Sequence, residues 1–166
     1  MQVNIALLTV TDSRTIDTDK SGTILVKKIK EQNHKLIDRK IVSDEKEKIK
    51  KILLEWLKKD GLNVIITTGG TGLTGRDITP EALKDIADKE IPGFGELFRE
   101  LSYKTIGTSA MQSRACAVLA NGKYIFALPG SSGGVKDAWD GILKYQLDIN
   151  HKPCNFVELF PRLKEK

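Results

Sequence analysis

The eight residues from Val3 to Val10 form a near-continuous apolar run. A strand that is apolar on both sides must be covered on both sides, which is the situation of a strand inside a parallel sheet. The residues that follow keep to that architecture. Thr11 to Ser21 is polar and turn-rich, with Asp12, Ser13, Arg14, Asp17 and Asp19. A helix is expected from about Gly22 to Glu31, and a second strand from His34 to Val42. Ser43 stands where an N-cap would open the next helix, whose Ile49, Ile52, Leu53, Trp56 and Leu57 recur at helical spacing. Gly61 ends that helix and Leu62 to Thr67 supplies a third strand. Strand and helix alternate throughout, which predicts an α/β fold with an open, mostly parallel sheet flanked by helices. Ligands of such sheets bind beyond the carboxyl ends of the strands.

The third strand leads into Thr67-Thr68-Gly69-Gly70-Thr71-Gly72, and then into Gly75-Arg76-Asp77 and Thr79-Pro80-Glu81-Ala82. The last four read as a helix start, with Thr79 as N-cap and Pro80 at the first helical position. Glycines let backbone N–H groups approach an anion, and threonine hydroxyls add neutral donors. The plain alternative is a tight connection without a ligand. Gly70 to Gly75 has the glycine spacing of a P-loop, but Arg76-Asp77 stands where a P-loop carries lysine and a hydroxyl. An acid beside a phosphate site has work to do: it holds magnesium or accepts a proton. The competing reading pairs Asp77 with Arg76 or has it help cap the helix at Thr79. A dinucleotide fingerprint is not supported, because the glycine spacing and the ribose-binding acid are both missing.

In the second half, Ile91-Pro92-Gly93-Phe94-Gly95-Glu96 reads as a bend before a helix from Glu96 to Tyr103. Phe94, Leu97, Phe98 and Leu101 form an apolar stripe there, either a contact between copies of the chain or a face packed on its own sheet. Ala115 to Ala120 and Tyr124 to Leu128 are strands joined by Asn121-Gly122, a strong hairpin signal. Pro129-Gly130-Ser131-Ser132-Gly133-Gly134 then precedes a helix from about Val135 to Leu147, a second strand–glycine loop–helix unit. The whole of residues 1–166 reads as a single domain.

Composition narrows the function classes. The net charge of +5 is modest, and the lysines from Lys27 to Lys40 and Lys46 to Lys59 read as solvated helix faces. No aromatic residues interleave with them in the manner of a nucleic-acid surface, so no nucleic-acid partner is expected. A mildly basic field suits an anionic small molecule. Cys116 and Cys154 lack metal-ligand spacing, as do His34 and His151. Cys116, within an apolar run, is expected to be a buried free thiol. No stretch is long and apolar enough to cross a membrane, and the first residues read as a strand rather than a signal peptide. The expectation is a cytoplasmic protein.

Taken in order, several of these segments resemble the molybdopterin-binding family of molybdenum-cofactor biosynthesis, the MoaB/MogA group. They are Thr9-Val10-Thr11-Asp12-Ser13-Arg14, the Thr67–Gly72 loop with Arg76-Asp77 and Thr79-Pro80-Glu81-Ala82, Pro92-Gly93-Phe94-Gly95-Glu96, Gly107-Thr108-Ser109-Ala110, and Leu128-Pro129-Gly130-Ser131. The resemblance runs from about residue 3 to Lys152-Pro153-Cys154-Asn155. It implies a three-layer domain assembled as a homotrimer or a pair of trimers. It implies binding of molybdopterin, a pterin dithiolene with a terminal phosphate. In catalytic members, magnesium-ATP adenylylates that phosphate. By the same resemblance Asp44 and Asp77 match the acids of the active site, with Asp77 toward Mg2+. Thr68, Gly69, Gly70, Thr71, Gly72, Ser109 and Ser13 match substrate-binding positions. Pro129, Gly130 and Ser131 match the edge of the nucleotide pocket. Some adenylylating members carry a second proline after the Pro-Gly pair, where this chain has Ser131-Ser132, which resembles the MoaB branch. An enzyme and a non-catalytic molybdopterin-binding carrier are therefore both implied.

Overall fold

A computed structural model describes residues 1–165. Six strands form one sheet: β1 (Asn4–Val10), β2 (Lys35–Val42), β3 (Val64–Thr68), β4 (Lys89–Glu90), β5 (Cys116–Ala120) and β6 (Lys123–Leu128). Their order is β2-β1-β3-β6-β5-β4. β1 pairs in parallel with β2 and with β3, and β3 pairs in parallel with β6. The last two strands run antiparallel, β5 against β6 and β4 against β5. The expected hairpin is present, and Asn121 (φ 45°) and Gly122 (φ 70°) both take the positive φ of a type I′ turn.

The chain leaves β1 for β2 on one side and returns to β3 on the other. That reversal opens a crevice at the carboxyl ends of β1 and β3, where open α/β sheets place ligands. It also puts the helices that follow β1 and β2 on opposite faces. Helices α1 (Lys20–Glu31), α4 (Pro92–Ile106) and α5 (Ser132–Ala138) cover one face, with Leu25, Ile29, Phe94, Phe98, Val135 and Trp139 packed on Ile5, Leu7 and Phe126. Helices α2 (Lys46–Leu57) and α3 (Thr79–Ile86) cover the other, with Ile49, Leu53, Trp56, Ala82 and Leu83 packed on Leu8 and Ile65. The three layers and the continuous apolar β1 account for each other. The stripe on α4 is mostly internal: Phe94 and Phe98 are core, Leu101 packs against it, and only Leu97 of the four is exposed.

Several boundaries differ from the sequence reading, each because a side chain has a longer-range partner. Ser43 does not cap α2. Its hydroxyl donates to Glu45 (3.0 Å), while the Asp44 N–H donates to the Asp12 carboxylate (3.0 Å), so the segment is tied to the β1 loop and the helix begins at Lys46. Thr79 is the first residue of α3 rather than its cap, and its hydroxyl donates to Gly69 O (2.9 Å). α1 starts two residues early because Asp19 accepts from the Gly22 N–H (2.9 Å). α4 includes Pro92, whose fixed φ suits a first turn. α5 starts at Ser132 because the Ser131 hydroxyl accepts from the Gly134 N–H (3.1 Å), and it continues through a π-turn, Trp139–Leu143, and a short α-turn, Lys144–Gln146. Cys116 is free and partly buried, and burial pushes its thiol up to about 11. Among the described residues no helix is long and apolar enough to cross a membrane.

Candidate functional site

The loop after β3 is shaped by what it touches. Gly69 has φ +100°, and a Cβ there would lie 2.2 Å from Val10 O. Gly70 has φ +68°, and its Cβ would lie 2.4 Å from the Thr79 hydroxyl. Both positions therefore exclude any side chain, on backbone conformation and on space. The Gly69 N–H donates to Leu128 O (3.0 Å), and the Thr79 N–H to Gly70 O (3.0 Å). The loop is wedged between the ends of β1 and β6, with Gly69 and Thr71 buried and Gly70 and Gly72 partly exposed.

That loop lines a cavity of about 700 Å³, within the usual size range for small-molecule sites. Gly69, Gly70, Thr71, Gly72 and Asp77 form one wall. Phe98, Ser102, Thr105 and Ile106 of α4, with Gln112 and Ser113, form another. Pro129, Gly130, Ser131, Gly133, Gly134 and Asp137 close it. The site thus has polar backbone at one side and the apolar Phe98 and Ile106 at the other. A smaller depression of about 290 Å³ adjoins it and shares Gly69, Gly130 and Ser131, with Thr11, Arg14, Lys20 and Thr68 also on its wall.

Of the residues singled out from sequence, Gly69 to Gly72, Asp77 and Pro129 to Ser131 meet at the main cavity. Asp44 stands beside the loop, its Oδ1 3.4 Å from where a Gly70 Cβ would be. Thr68 is buried, and its hydroxyl lies 2.8 Å from Pro129 O and 3.2 Å from the Ser21 hydroxyl. Ser13 lies on the exposed β1 loop, its N–H donating to the Thr11 hydroxyl (3.2 Å). Ser109 lies on an exposed 3-10 turn, Gly107–Gln112, whose end reaches the cavity through Gln112.

The acids near the loop are shifted in opposite directions. Burial and the neighbouring Asp12 carboxylate push the Asp44 carboxyl above its ordinary value, Arg76 opposes them, and Asp77 adds to the rise. Burial also disfavours charge at Asp77. There the Thr74 hydroxyl (2.7 Å) and N–H (2.9 Å), with the Arg114 charge, hold the carboxyl below its usual range. Arg76 does not pair with Asp77. It reaches Asp12 on the β1 loop, with Nη2 2.7 Å from Oδ2.

Two features had no signal in the sequence. The first is Arg114, whose guanidinium donates to Gly72 O (2.7 Å) and Asp77 O (2.7 Å) and pairs with Glu81. The second is Asp19, buried at the start of α1. It accepts from the Thr9 hydroxyl (2.6 Å), the Gly22 N–H (2.9 Å) and Arg39 Nη2 (3.0 Å). Burial opposes the Asp19 charge, and those donors outweigh it, so its carboxyl sits below the ordinary value. Asp19→Ala strands Arg39 without its partner and is expected to cost about 3 kcal/mol of stability. A depressed carboxyl contributes stability above its unfolded pKa of about 3.9, and that stability is lost as pH falls through the lower folded value. The gap in urea midpoint between wild type and variant should therefore be wide at neutral pH and narrow in acid. A gap independent of pH contradicts this.

An open sheet with a glycine loop and cavities at the carboxyl ends of its strands is the architecture of α/β proteins that bind small molecules beyond the strand ends. The chain belongs to the molybdenum-cofactor biosynthesis family: the family described as a probable molybdopterin binding domain matches residues 6–148. It is 44% identical over 161 residues to the molybdenum cofactor biosynthesis protein B of Escherichia coli K12, covering 97% of this chain and 93% of that one. A crystal structure of a molybdenum cofactor biosynthesis protein B superposes with a TM-score of 0.89 at 40% identity, covering 100% of this chain and 98% of that one. The tungsten cofactor synthesizing protein MoaB from Pyrococcus furiosus superposes with a TM-score of 0.77 at 35% identity, covering 86% of this chain and 91% of that one.

Proposed function

We propose that this chain binds molybdopterin in the 700 Å³ cavity and adenylylates its terminal phosphate with magnesium-ATP. The observation that carries the reading is the loop itself: Gly69 to Gly72 line a cavity with Asp77 on its wall and Asp44 close by. The N–H groups of Gly70 and Thr71 replace the missing P-loop lysine as phosphate donors, the Gly69 N–H being given to Leu128 O. Ile106, exposed on the α4 wall, gives a flat apolar ring system something to lie against. Gly69 to Gly72 are assigned to molybdopterin, and Pro129, Gly130 and Ser131 to the edge of the nucleotide; Thr68 is buried behind the loop, and Ser13 and Ser109 stand outside the cavity lining.

In the reaction, an oxygen of the molybdopterin phosphate attacks the α-phosphorus of ATP. The bond to the β-phosphate oxygen breaks and pyrophosphate leaves with that electron pair. No protein nucleophile is needed, so the work is alignment and charge stabilisation. Magnesium would neutralise phosphate charge when bound. Its fit is supported by Asp44, whose carboxyl is raised by burial and by the nearby Asp12 and Asp77 carboxylates, while Arg76 is engaged by Asp12 and Arg114 stands near Asp77. Among the described residues no three ligating side chains form a metal cage. A magnesium ion that shares ATP phosphates needs only one or two carboxylates, which Asp44 and Asp77 would supply. The chain's own part is to hold the two phosphates close, keep Asp77 ionised and exclude bulk water from the cavity.

A non-catalytic binding protein is the second reading, favoured by Ser131-Ser132 in place of a second proline after Pro129-Gly130. Calorimetric titration with molybdopterin tests the binding that both share, and absence of heat rejects both. Self-association into a trimer or a pair of trimers belongs to the same proposal. Its surface would include the exposed Leu97, Tyr103, Ile106 and Met111 rather than the buried half of the α4 stripe. Light scattering at micromolar concentration should return a multiple of the chain mass, and a monomer mass contradicts it.

A further inference from the structure

We propose that Arg114 is the positioning residue of this site: it clamps both ends of the Gly72–Asp77 turn and so fixes Asp77 relative to the cavity. The inference rests on the adenylyl-transfer reading. Asp77 is the acid on the cavity wall, but it sits on a six-residue surface turn whose other residues are small or exposed. A carboxylate on such a turn holds a catalytic geometry only if something rigid holds the turn.

Arg114 meets that need from across the cavity. It directly follows Gln112 and Ser113, which line the opposite wall. Its N–H donates to Thr71 O (2.9 Å). Its Nε donates to Gly72 O (2.7 Å) and its Nη2 to Asp77 O (2.7 Å), so one planar group spans the turn from first residue to last. Its Nη1 pairs with Glu81 in the first turn of α3, which anchors the clamp to a helix. The other Glu81 oxygen, Oε2, is buried and has no hydrogen-bond partner, so this carboxylate is held in place for Arg114 at a cost in solvation. Three acceptors on three different nitrogens require a guanidinium. A lysine ammonium is a single point and cannot span them.

The turn is closed tightly enough for this to matter. The Asp77 N–H donates to Thr74 O (3.0 Å), and the Thr74 N–H and hydroxyl donate to the Asp77 carboxylate. A Cβ on Gly72 would lie 2.8 Å from Asp77 Oδ2. Once the clamp on Gly72 O and Asp77 O is lost, the carboxylate moves with the turn. The Gly69–Thr71 part of the loop keeps its own bonds to Leu128 O, Thr79 and the Arg114 backbone, so substrate contacts there persist.

The test is steady-state kinetics with molybdopterin and magnesium-ATP, with and without added guanidinium ion. Arg114→Gly should lose about 100-fold in kcat, the cost of a misplaced group, with KM for both substrates within about threefold. Guanidinium should restore at least about tenfold of that loss by refilling the clamp, and Arg114→Lys should stay low. Arg114→Gln, which keeps most of the side-chain volume, should show the same kcat loss if the glycine variant fails to fold. Full activity in Arg114→Gln or Arg114→Gly, or a loss that guanidinium leaves untouched, overturns the assignment. If the wild type has no turnover, the adenylyl-transfer reading fails by itself. The clamp is then decided in the ligand-free protein by amide hydrogen exchange across the Gly72–Asp77 turn, where the Asp77 N–H donates to Thr74 O (3.0 Å). Arg114→Gly should speed exchange at Asp77 and guanidinium should slow it again, whereas unchanged exchange overturns the clamp.

Discussion

Asp77→Asn is expected to lower kcat by about 1,000-fold while leaving molybdopterin affinity within about twofold, the pattern of a group used mainly in the transition state. The amide oxygen of asparagine can still accept from the Thr74 N–H and hydroxyl, so the turn keeps its shape. What is lost is the charge. Asp77 is held ionised in spite of its partial burial, and a negative group beside a phosphate site opposes binding unless a cation lies between them. Removing it should cost catalysis and slightly ease binding of an anion. Asp44→Asn should act in the same direction with a smaller effect, because Asp44 stands beside the loop and not on the cavity wall. Kinetics and calorimetry on the same preparation separate the two quantities. An Asp77→Asn variant as active as wild type would reduce Asp77 to a turn-closing residue.

The second large effect falls on binding. Gly70→Val should weaken molybdopterin binding by at least about 100-fold, since a close backbone approach is replaced by a side chain. The position has φ +68°, and the added Cβ would sit 2.4 Å from the Thr79 hydroxyl that fastens the loop to α3. The loop must then move away from Thr79, which displaces the backbone that lines the cavity. A β-branched residue at positive φ also costs about 1–2 kcal/mol in backbone strain, so folding is checked by its urea midpoint. The rest of the sheet does not depend on Gly70, and the variant should remain folded. Wild-type affinity in a folded Gly70→Val would remove the loop from the binding site.

Much of the fold was legible because its signals are local. The apolar run Val3–Val10, the helical spacing of Ile49 to Leu57, and Asn121-Gly122 each carry their structure in a few neighbouring residues. The two-residue β4 was not legible, since Lys89 and Glu90 form a strand only through pairing with Val118 and Leu119. Cap positions failed where a capping side chain was engaged elsewhere, as Thr79 is by Gly69 O. The loop after β3 and the Pro129–Ser131 segment could be placed at strand ends from sequence, and the structure brings both to one cavity. The α4 wall could not be placed there. Phe98 and Ile106 look like any helical apolar residues until α4 is laid over the loop. Arg114 was invisible for the same reason, since its acceptors lie 33 to 42 residues away in sequence.

The most direct test is to incubate the purified wild-type protein with molybdopterin, ATP and magnesium, and to analyse the products by mass spectrometry. Adenylylated molybdopterin and one pyrophosphate per product, both dependent on magnesium, are the predicted result. Molybdopterin that is bound with measurable affinity but recovered unmodified would contradict the adenylyl-transfer account and leave the chain a binding protein.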